Sequence, residues 1–413
     1  MKILILLCLG YGLAAADLDA LVAYGLERHP ALAAARERID ATRLGRDAAT
    51  VLPDPEFSIA PLGAMAQTAA GEVTLMMGLR QRFPTWGSRR AQGALVDAAV
   101  MGARAEERAA AVNAARDIRR AWWVLYEAEA AVQVLEQQRQ AVADLARVVE
   151  ARIAANAAGS ADLLRLQVES GRLAAESDRL AAEVSAAQAR LRASLVLDAD
   201  QALPKVDADP LAPIDADLLA LARQFHPGFA RNDAARADAL AGLDAARSRA
   251  RPGFSVFANY NIVDDTGLAP SATGEDQWWV GVGMSVPLWQ GSYGAGTSAA
   301  EGRSRAAVSD RAALDAWLRG EVAAARALWI GAGDQYRRYN DEIVPRARQA
   351  LAASRSAYGA GTGSFTDLMV AWQQVLGLDM QTLRLRRQTG VARSEVLAVV
   401  GLVLNKELEG ALQ

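Results

Sequence analysis

Few side chains in this sequence are of the kind that carries chemistry. Histidine occurs only at His29 and His226, and the one cysteine is Cys8. Each histidine precedes a proline, as His29-Pro30 and His226-Pro227, with no acidic cluster beside it. Two imidazoles so far apart, without thiolate or carboxylate companions, make a poor metal site. A helix-breaking role before proline is expected of both. Cys8 lies inside the first apolar run, after Leu7, where a lipid-anchor site would need a small residue. Once a leader is removed no thiol remains, which excludes disulfides, thiolate metal sites and thiol catalysis. There is no nucleophile elbow, phosphate-cradling Gly-rich loop or metal-ligand cluster, so no enzyme, cofactor or resident metal is expected.

Two kinds of charged position remain. Asp162 and Asp367 each follow a Gly-Ser turn, Gly159-Ser160 and Gly363-Ser364, where a carboxylate favours the positive end of a starting helix. Arg80 and Arg82 alternate along one segment, either lining a lumen or anchoring at an interface. The net charge is only −3, from 48 acidic and 45 basic residues, which gives no ground for a nucleic-acid partner.

The elements that must position these residues begin after an expected leader at 1–16, with Lys2, the apolar Ile3 to Leu9, and Ala14-Ala15-Ala16 as its cleavage site. No later segment is long and apolar enough for a transmembrane helix. The rest of the chain is written twice. Leu26 to Pro30 returns as Arg223 to Pro227, and Asp54 to Ser58 as Arg251 to Ser255, at one offset of 197. Phe83-Pro84-Thr85-Trp86-Gly87 returns as Val286-Pro287-Leu288-Trp289-Gln290, and Gly159 to Leu163 as Gly363 to Leu368. A period near 200 residues means a duplicated module, not a solenoid. The modules are expected at 17–200 and 215–405, with a Pro- and Asp-rich linker at 201–214 and a tail at 406–413.

Each module reads as helix, strand, strand, helix, helix. Strands are expected at about 55–62, 72–83, 253–263 and 277–287. In the second, Val73, Leu75, Met77 and Leu79 share a face opposite Thr74, Met76, Gly78, Arg80 and Arg82. In the third and fourth, Phe254, Val256, Ala258, Tyr260 and Ile262, then Trp278, Val280, Val282, Met284 and Val286, alternate with small or polar residues. Segments of this kind form either transmembrane strands or the edge of a soluble sandwich; export and the flanking helices favour the first, with Trp86, Trp278 and Trp289 as an aromatic girdle.

The helices are long. No proline interrupts Gly87 to Asn156, a rod of roughly 105 Å if continuous. Ile118, Leu125, Val132, Ala146 and Ile153 form one line of a heptad seam, and Ala121, Ala128, Leu135, Val142 and Val149 the other. The last helix repeats the rhythm through Leu368, Val375 and Val396. Pro345 should kink the matching rod of the second module. At the helix turns, Gly is expected to end one helix and Ser160 or Ser364 to cap the next. Trp122, Trp123 and Trp329 are expected to pack between helices.

The duplicated module, with the run from Pro345 through Ala350-Leu351 and Tyr358-Gly359-Ala360-Gly361 into Phe365-Thr366-Asp367-Leu368-Met369, resembles the TolC-type outer-membrane factor family. Leu52 to Pro55 and Phe83 to Gly87 look most like its heavy-metal efflux branch. The resemblance implies a mixed α/β membrane protein in a homotrimer, each chain giving four strands to a shared twelve-stranded barrel above a periplasmic α-helical coiled-coil barrel. It implies an outer-membrane exit duct for small molecules or metal ions, joined to a periplasmic adaptor and an inner-membrane pump such as one of the RND type. Four strands cannot close a pore alone, because about eight make the smallest useful barrel.

The resemblance also assigns sites. Gly159, Ser160, Asp162, Gly361, Gly363 and Ser364 would form the tip that meets the adaptor. Asp367 would give a ring of three gate carboxylates, or be only a helix-start acid. The family's second gate acid is replaced by Val370. The rival readings are a periplasmic coiled-coil adaptor, which would carry one hairpin flanked by soluble β domains, and a coiled-coil structural protein, which would not need the strands.

Overall fold

The computed structural model describes residues 17–62, 66–156, 158–204, 216–266 and 272–404, with Leu211, Ile214 and Glu407. The expected leader, most of the linker and the tail apart from Glu407 lie outside the described residues. The first repeat contains α1 (Leu18–Arg28), α2 (Pro30–Thr50), β1 (Glu56–Pro61), β2 (Gln67–Thr68), β3 (Gly71–Phe83), α3 (Ser88–Ala154) and α4 (Ser160–Leu195). The second contains α5 (Leu218–Phe225), α6 (Pro227–Arg249), β4 (Gly253–Asp264), β5 (Gln277–Ser285), α7 (Gln290–Arg338), a π turn (Tyr339–Ile343), α8 (Val344–Gly359) and α9 (Phe365–Val400).

Each repeat thus opens on two helices where one was expected. His29 and His226 are the breaks, with nearly equal backbone angles of φ −67°, ψ 119° and φ −66°, ψ 123°. Steric conflict with the next proline ring drives the preceding residue into this extended region, and the proline then opens the next helix. Around Pro345 the regular helix is interrupted by the π turn Tyr339–Ile343, and the proline, which has no N–H to donate, follows it in the first turn of α8.

The chain divides into two compact units, one comprising residues up to Ala34, Glu107–Pro227 and the part from Asp315, the other Ala35–Glu106 and Gly228–Leu314. In the first unit, Leu18, Leu21 and Val22 of α1 pack on Val112, Ala115, Ile118, Trp122 and Trp123 of α3 and Leu191 and Leu195 of α4. The closest approach is at Gly390 of α9, where a Cβ would stand 1.9 Å from Trp123 Cε2. Only hydrogen fits there, so glycine lies mid-helix despite its poor propensity. Arg119 is buried beside Asp19, at 3.0 Å, and also donates to the Val403 carbonyl at 2.7 Å. Arg108 holds the Glu407 carboxylate through two 2.9 Å bonds and the Gly401 carbonyl at 3.0 Å. The residues after α9 are therefore tied to α3 by two guanidinium groups.

A second cluster extends along the same unit through Leu135, Val142 and Val149 of α3, Leu166, Leu173 and Leu180 of α4, and Leu368 and Trp372 of α9. The heptad seam of α3 holds at Ile118, Leu125, Ala128, Leu135, Val142 and Val149, all buried. Val132 departs from it and is exposed, while Ala131 beside it is buried. An undistorted helix drifts against a strict seven-residue repeat, which moves the buried line by one position.

In the second unit the strands form one antiparallel sheet in the order β1-β3-β4-β5, with the short β2 on β3. Two details differ from expectation. The β3–β4 register slips between Val73 and Leu75, so Val73 stands opposite Val263 and leaves the face of Leu75, Met77 and Leu79. One extra residue in a strand reverses every side chain beyond it, which alternation alone does not reveal. β5 stops at Ser285, before Val286-Pro287, because proline has no N–H to continue a ladder.

Candidate functional site

The ladder pairs settle which strand residues share a face. Phe57 lies opposite Leu79, Leu79 opposite Ala258, and Ala258 opposite Val280; Met77, Tyr260 and Trp278 form the next row. This face is apolar from edge to edge, and it is the exposed one: Trp278 is 73 % accessible, Val282 71 %, Phe57 67 % and Val280 63 %. The opposite face carries Ser58, Gly78, Asn259 and Trp279 in one row and Glu56, Arg80, Phe257 and Gly281 in the next. Along β4 the face of Ser255, Phe257, Asn259 and Asn261 is less exposed than that of Phe254, Val256, Ala258, Tyr260 and Ile262. A sheet folded for water has the reverse arrangement, because exposed apolar area costs roughly 25 cal/mol per Å².

On the polar face, Glu56 stands opposite Arg80, but its carboxylate pairs with Arg82 at 3.0 Å. Arg80 makes no ion pair with any described residue; its guanidinium lies 5.8 Å from the Phe257 ring. The glycines here are sites of close approach. A Cβ on Gly281 would meet Phe257 Cζ at 2.4 Å, and one on Gly283 would meet Ser255 Oγ at 2.7 Å. Both arginines border a concavity of about 550 Å³, with Phe83, Phe254, Ser255, Phe257 and Gly283.

The second candidate region is the pair of helix turns in the first unit. Gly159, Ser160 and Asp162 belong to the α3–α4 turn, and Gly361, Gly363, Ser364 and Asp367 to the α8–α9 turn. The two are built differently. Ser364 caps α9: its hydroxyl accepts the Asp367 amide at 3.0 Å and donates to the Asp367 carboxylate at 2.7 Å. Ser160 does not cap α4, since it is the first helical residue and Gly159 takes the cap position without a side-chain bond. The spacing is the cause: Asp367 lies three positions after Ser364, but Asp162 only two after Ser160. The left-handed residue is Gly361 (φ 81°) in one turn and Asn156 (φ 57°) in the other. Asp162 instead faces Arg165 at 3.6 Å, and Val370 is exposed one turn into α9.

Arg152 and Tyr358 link the two turns. The Arg152 guanidinium donates to the Tyr358 carbonyl and lies 4.4 Å from its ring. Tyr358 is buried and meets Phe365 edge-on at 5.7 Å. Burial raises the Tyr358 pKa above the usual tyrosine value, Asp162 adds to this, and Arg152 opposes it. The structure thus gathers Asp162, Arg152 and Tyr358 at one place. Sequence reading missed Arg152; its signal was an arginine beside the seam residues Val149 and Ile153, one turn before the helix ends. Among the described residues no group of three His, Cys, Asp or Glu is placed to hold a metal, and His29 and His226 serve as helix breaks.

Residues 218–402 match the model of the family described as outer membrane efflux protein. No curated protein matches the chain significantly in sequence. Among solved structures, CusC, described in connection with transmembrane channel formation, gives a TM-score of 0.78 at 17% identity over 95% of this chain and 93% of that one. The outer membrane protein VceC of Vibrio cholerae gives 0.73 at 17% identity over 93% of this chain and 96% of that one. The open state of the MtrE outer membrane channel of Neisseria gonorrhoeae gives 0.73 at 17% identity over 94% and 89%. At these identities the likeness establishes the fold, over nearly the whole of both chains. The family match lies in the second repeat, the one that carries the run from Pro345 to Met369, and bears out the resemblance read there.

Proposed function

We propose that this chain is the outer-membrane exit duct of a tripartite efflux or secretion system. Three copies join their sheets into one twelve-stranded barrel, and the helices continue the conduit into the periplasm. The observation that carries this reading is the sheet's continuous, exposed apolar face, with the charged, polar and small residues gathered on the other face. β4 has 12 residues and β5 has 9, close to the roughly 9–11 that a tilted strand needs to cross a bilayer. No described helix is long and apolar enough to cross, so in this reading only the sheet meets lipid.

A four-stranded sheet has two open edges, β1 and β5, whose backbone groups lipid cannot satisfy. Edge-to-edge closure by symmetry-related copies removes them. The polar face then becomes the lumen wall, with Arg80 and Arg82 on it. The helix turns are the surface offered to a periplasmic adaptor coupled to an inner-membrane pump, and Gly159, Ser160, Asp162, Gly361, Gly363 and Ser364 are its residues. Three Asp367 carboxylates brought together at a narrow end repel one another and favour a bound cation, while Val370 adds an apolar step in place of a second acidic ring.

Membrane fractionation with chemical cross-linking tests this reading. The expected species contains three chains and sediments with the outer membrane; a soluble periplasmic monomer after detergent-free lysis refutes it. Ser160→Cys or Ser364→Cys should cross-link to the tip of the cognate adaptor, whereas capture from Trp86→Cys or Trp289→Cys alone would refute the orientation.

A further inference from the structure

Arg80 and Phe257 form a pair that the barrel does not need for closure. On the polar face Arg82 is already neutralised by Glu56, at 3.0 Å. Arg80 has no carboxylate partner among the described residues and leans toward the Phe257 ring, 5.8 Å away. Phe257 is the large aromatic in a row otherwise made of Glu56, Arg80 and Gly281. Its ring lies over the bare backbone of Gly281, where a methyl group would come within 2.4 Å of it. One ladder step away, Gly283 leaves room beside Ser255 in the same manner. The result is a concavity of 550 Å³, bounded by a cation, an aromatic surface and a hydroxyl. That is within the ~300–1,000 Å³ range typical of small-molecule clefts.

We propose that this concavity is a station for aromatic anions in transit. It rests on the exit-duct reading, because only then does the polar face line a lumen. Arg80 attracts the acidic group, Phe257, seated on the bare backbone of Gly281, offers its ring for stacking, and Gly283 keeps the wall beside Ser255 free of a side chain. Because Glu56 pairs with Arg82, the attraction is centred on Arg80. Three copies around the lumen axis would raise the local concentration of such solutes without holding them tightly, as a conduit requires. Aliphatic anions gain only the charge, and aromatic cations are repelled.

The experiment is single-channel recording in planar bilayers, with the assembled full-length protein and 1-naphthalenesulfonate as probe. Methanesulfonate and benzyltrimethylammonium serve as the aliphatic-anion and aromatic-cation comparators. Naphthalenesulfonate should reduce conductance at a concentration three- to tenfold below that of methanesulfonate. Phe257→Leu should abolish this aromatic preference while leaving the methanesulfonate effect in place. Arg80→Gln should weaken the response to both anions, and Glu56→Gln, by freeing Arg82, should strengthen it. Equal responses to all three probes, or a naphthalenesulfonate effect unchanged in both Phe257→Leu and Arg80→Gln, would overturn the proposal while leaving the duct intact. Gly283→Ala gives a further arm, since its methyl group narrows the concavity without changing charge, meeting Ser255 Oγ at 2.7 Å and the edge of the Phe257 ring only at 3.9 Å, and an unchanged aromatic preference there also counts against it. Absence of any conducting species would overturn the exit-duct reading itself.

Discussion

Val280 and Trp279 are neighbours on β5 that face opposite ways, so one substitution at each separates a lipid-facing surface from a water-facing one. Val280 lies opposite Ala258, in the apolar row with Leu79 and Phe57, and is 63 % accessible in the isolated chain. On a water-soluble sheet, Val280→Arg would change stability by no more than about 0.5 kcal/mol, because the side chain already faces solvent. On the outside of a barrel the same change places a guanidinium near mid-bilayer, at about 2–4 kcal/mol per chain. At 1.4 kcal/mol per tenfold, that is a loss of roughly 30- to 700-fold in the folding equilibrium per chain, compounded when three chains assemble. Trp279→Arg puts the same charge on the polar face and should cost mainly the lost packing of a half-exposed ring. Folding into lipid vesicles, followed by the retarded mobility of the unheated assembly and by urea titration, measures both. Val280→Arg should fail to insert or lose its cooperative transition, while Trp279→Arg assembles. Equal behaviour of the two, or a Val280→Arg protein as stable as its parent, would refute the assignment of faces.

Gly390→Ala should destabilise by about 1–3 kcal/mol despite alanine's better helix propensity, because its methyl group enters the Trp123 ring; thermal unfolding checks this, and Trp123→Phe should recover part of the loss. Ser364→Ala should cost about 1 kcal/mol and speed hydrogen exchange at the Asp367 amide, whereas Ser160→Ala should leave α4 unchanged. Burial pushes the Glu407 carboxyl up, but hydrogen bonds from Arg108 and the Val403 amide outweigh it and hold the pKa below the usual glutamate value. A depressed carboxyl stabilises the fold above its unfolded pKa, near 4.3, and loses that contribution as pH falls through the folded value. Glu407→Gln should therefore destabilise at pH 7 by on the order of 1 kcal/mol, discounted for partial exposure, and the gap to the parent should close under acid in urea titrations. Asp367→Ala should raise conductance or weaken cation selectivity in planar bilayers more than Asp162→Ala does; no change in either would leave Asp367 as a helix-start acid.

What the sequence made legible came from period. The long helices, the strand alternation and the duplication all repeat a spacing that survives without knowledge of neighbours. What it hid depended on a partner or on one residue of register. The slip at Thr74 became visible only once β4 was paired with β3. The unequal serines look alike until the distance to the next aspartate is matched to the first helical turn. Gly390 reads as an indifferent glycine in a helix until Trp123 is placed against it. Arg152 carried no motif, since its role comes from the Tyr358 carbonyl more than 200 positions away. Among the candidate residues, Asp367 and Val370 lie on α9 as their positions implied, and Ser364 caps that helix.

The two open edges of the sheet, β1 and β5, also have a genetic consequence. In the proposed trimer, a protomer that reaches the bilayer with its edges unpaired has no resting place there, so insertion would be a joint act of three chains. A subunit with one damaged edge but sound helices would still be recruited, and would leave its partners unable to close. If such a variant were expressed at the level of its parent and mixed at random, only about one assembly in eight would consist of sound chains alone. Lesions in β1 or β5 should then be dominant over the intact copy, while lesions that prevent a chain from folding at all should be recessive.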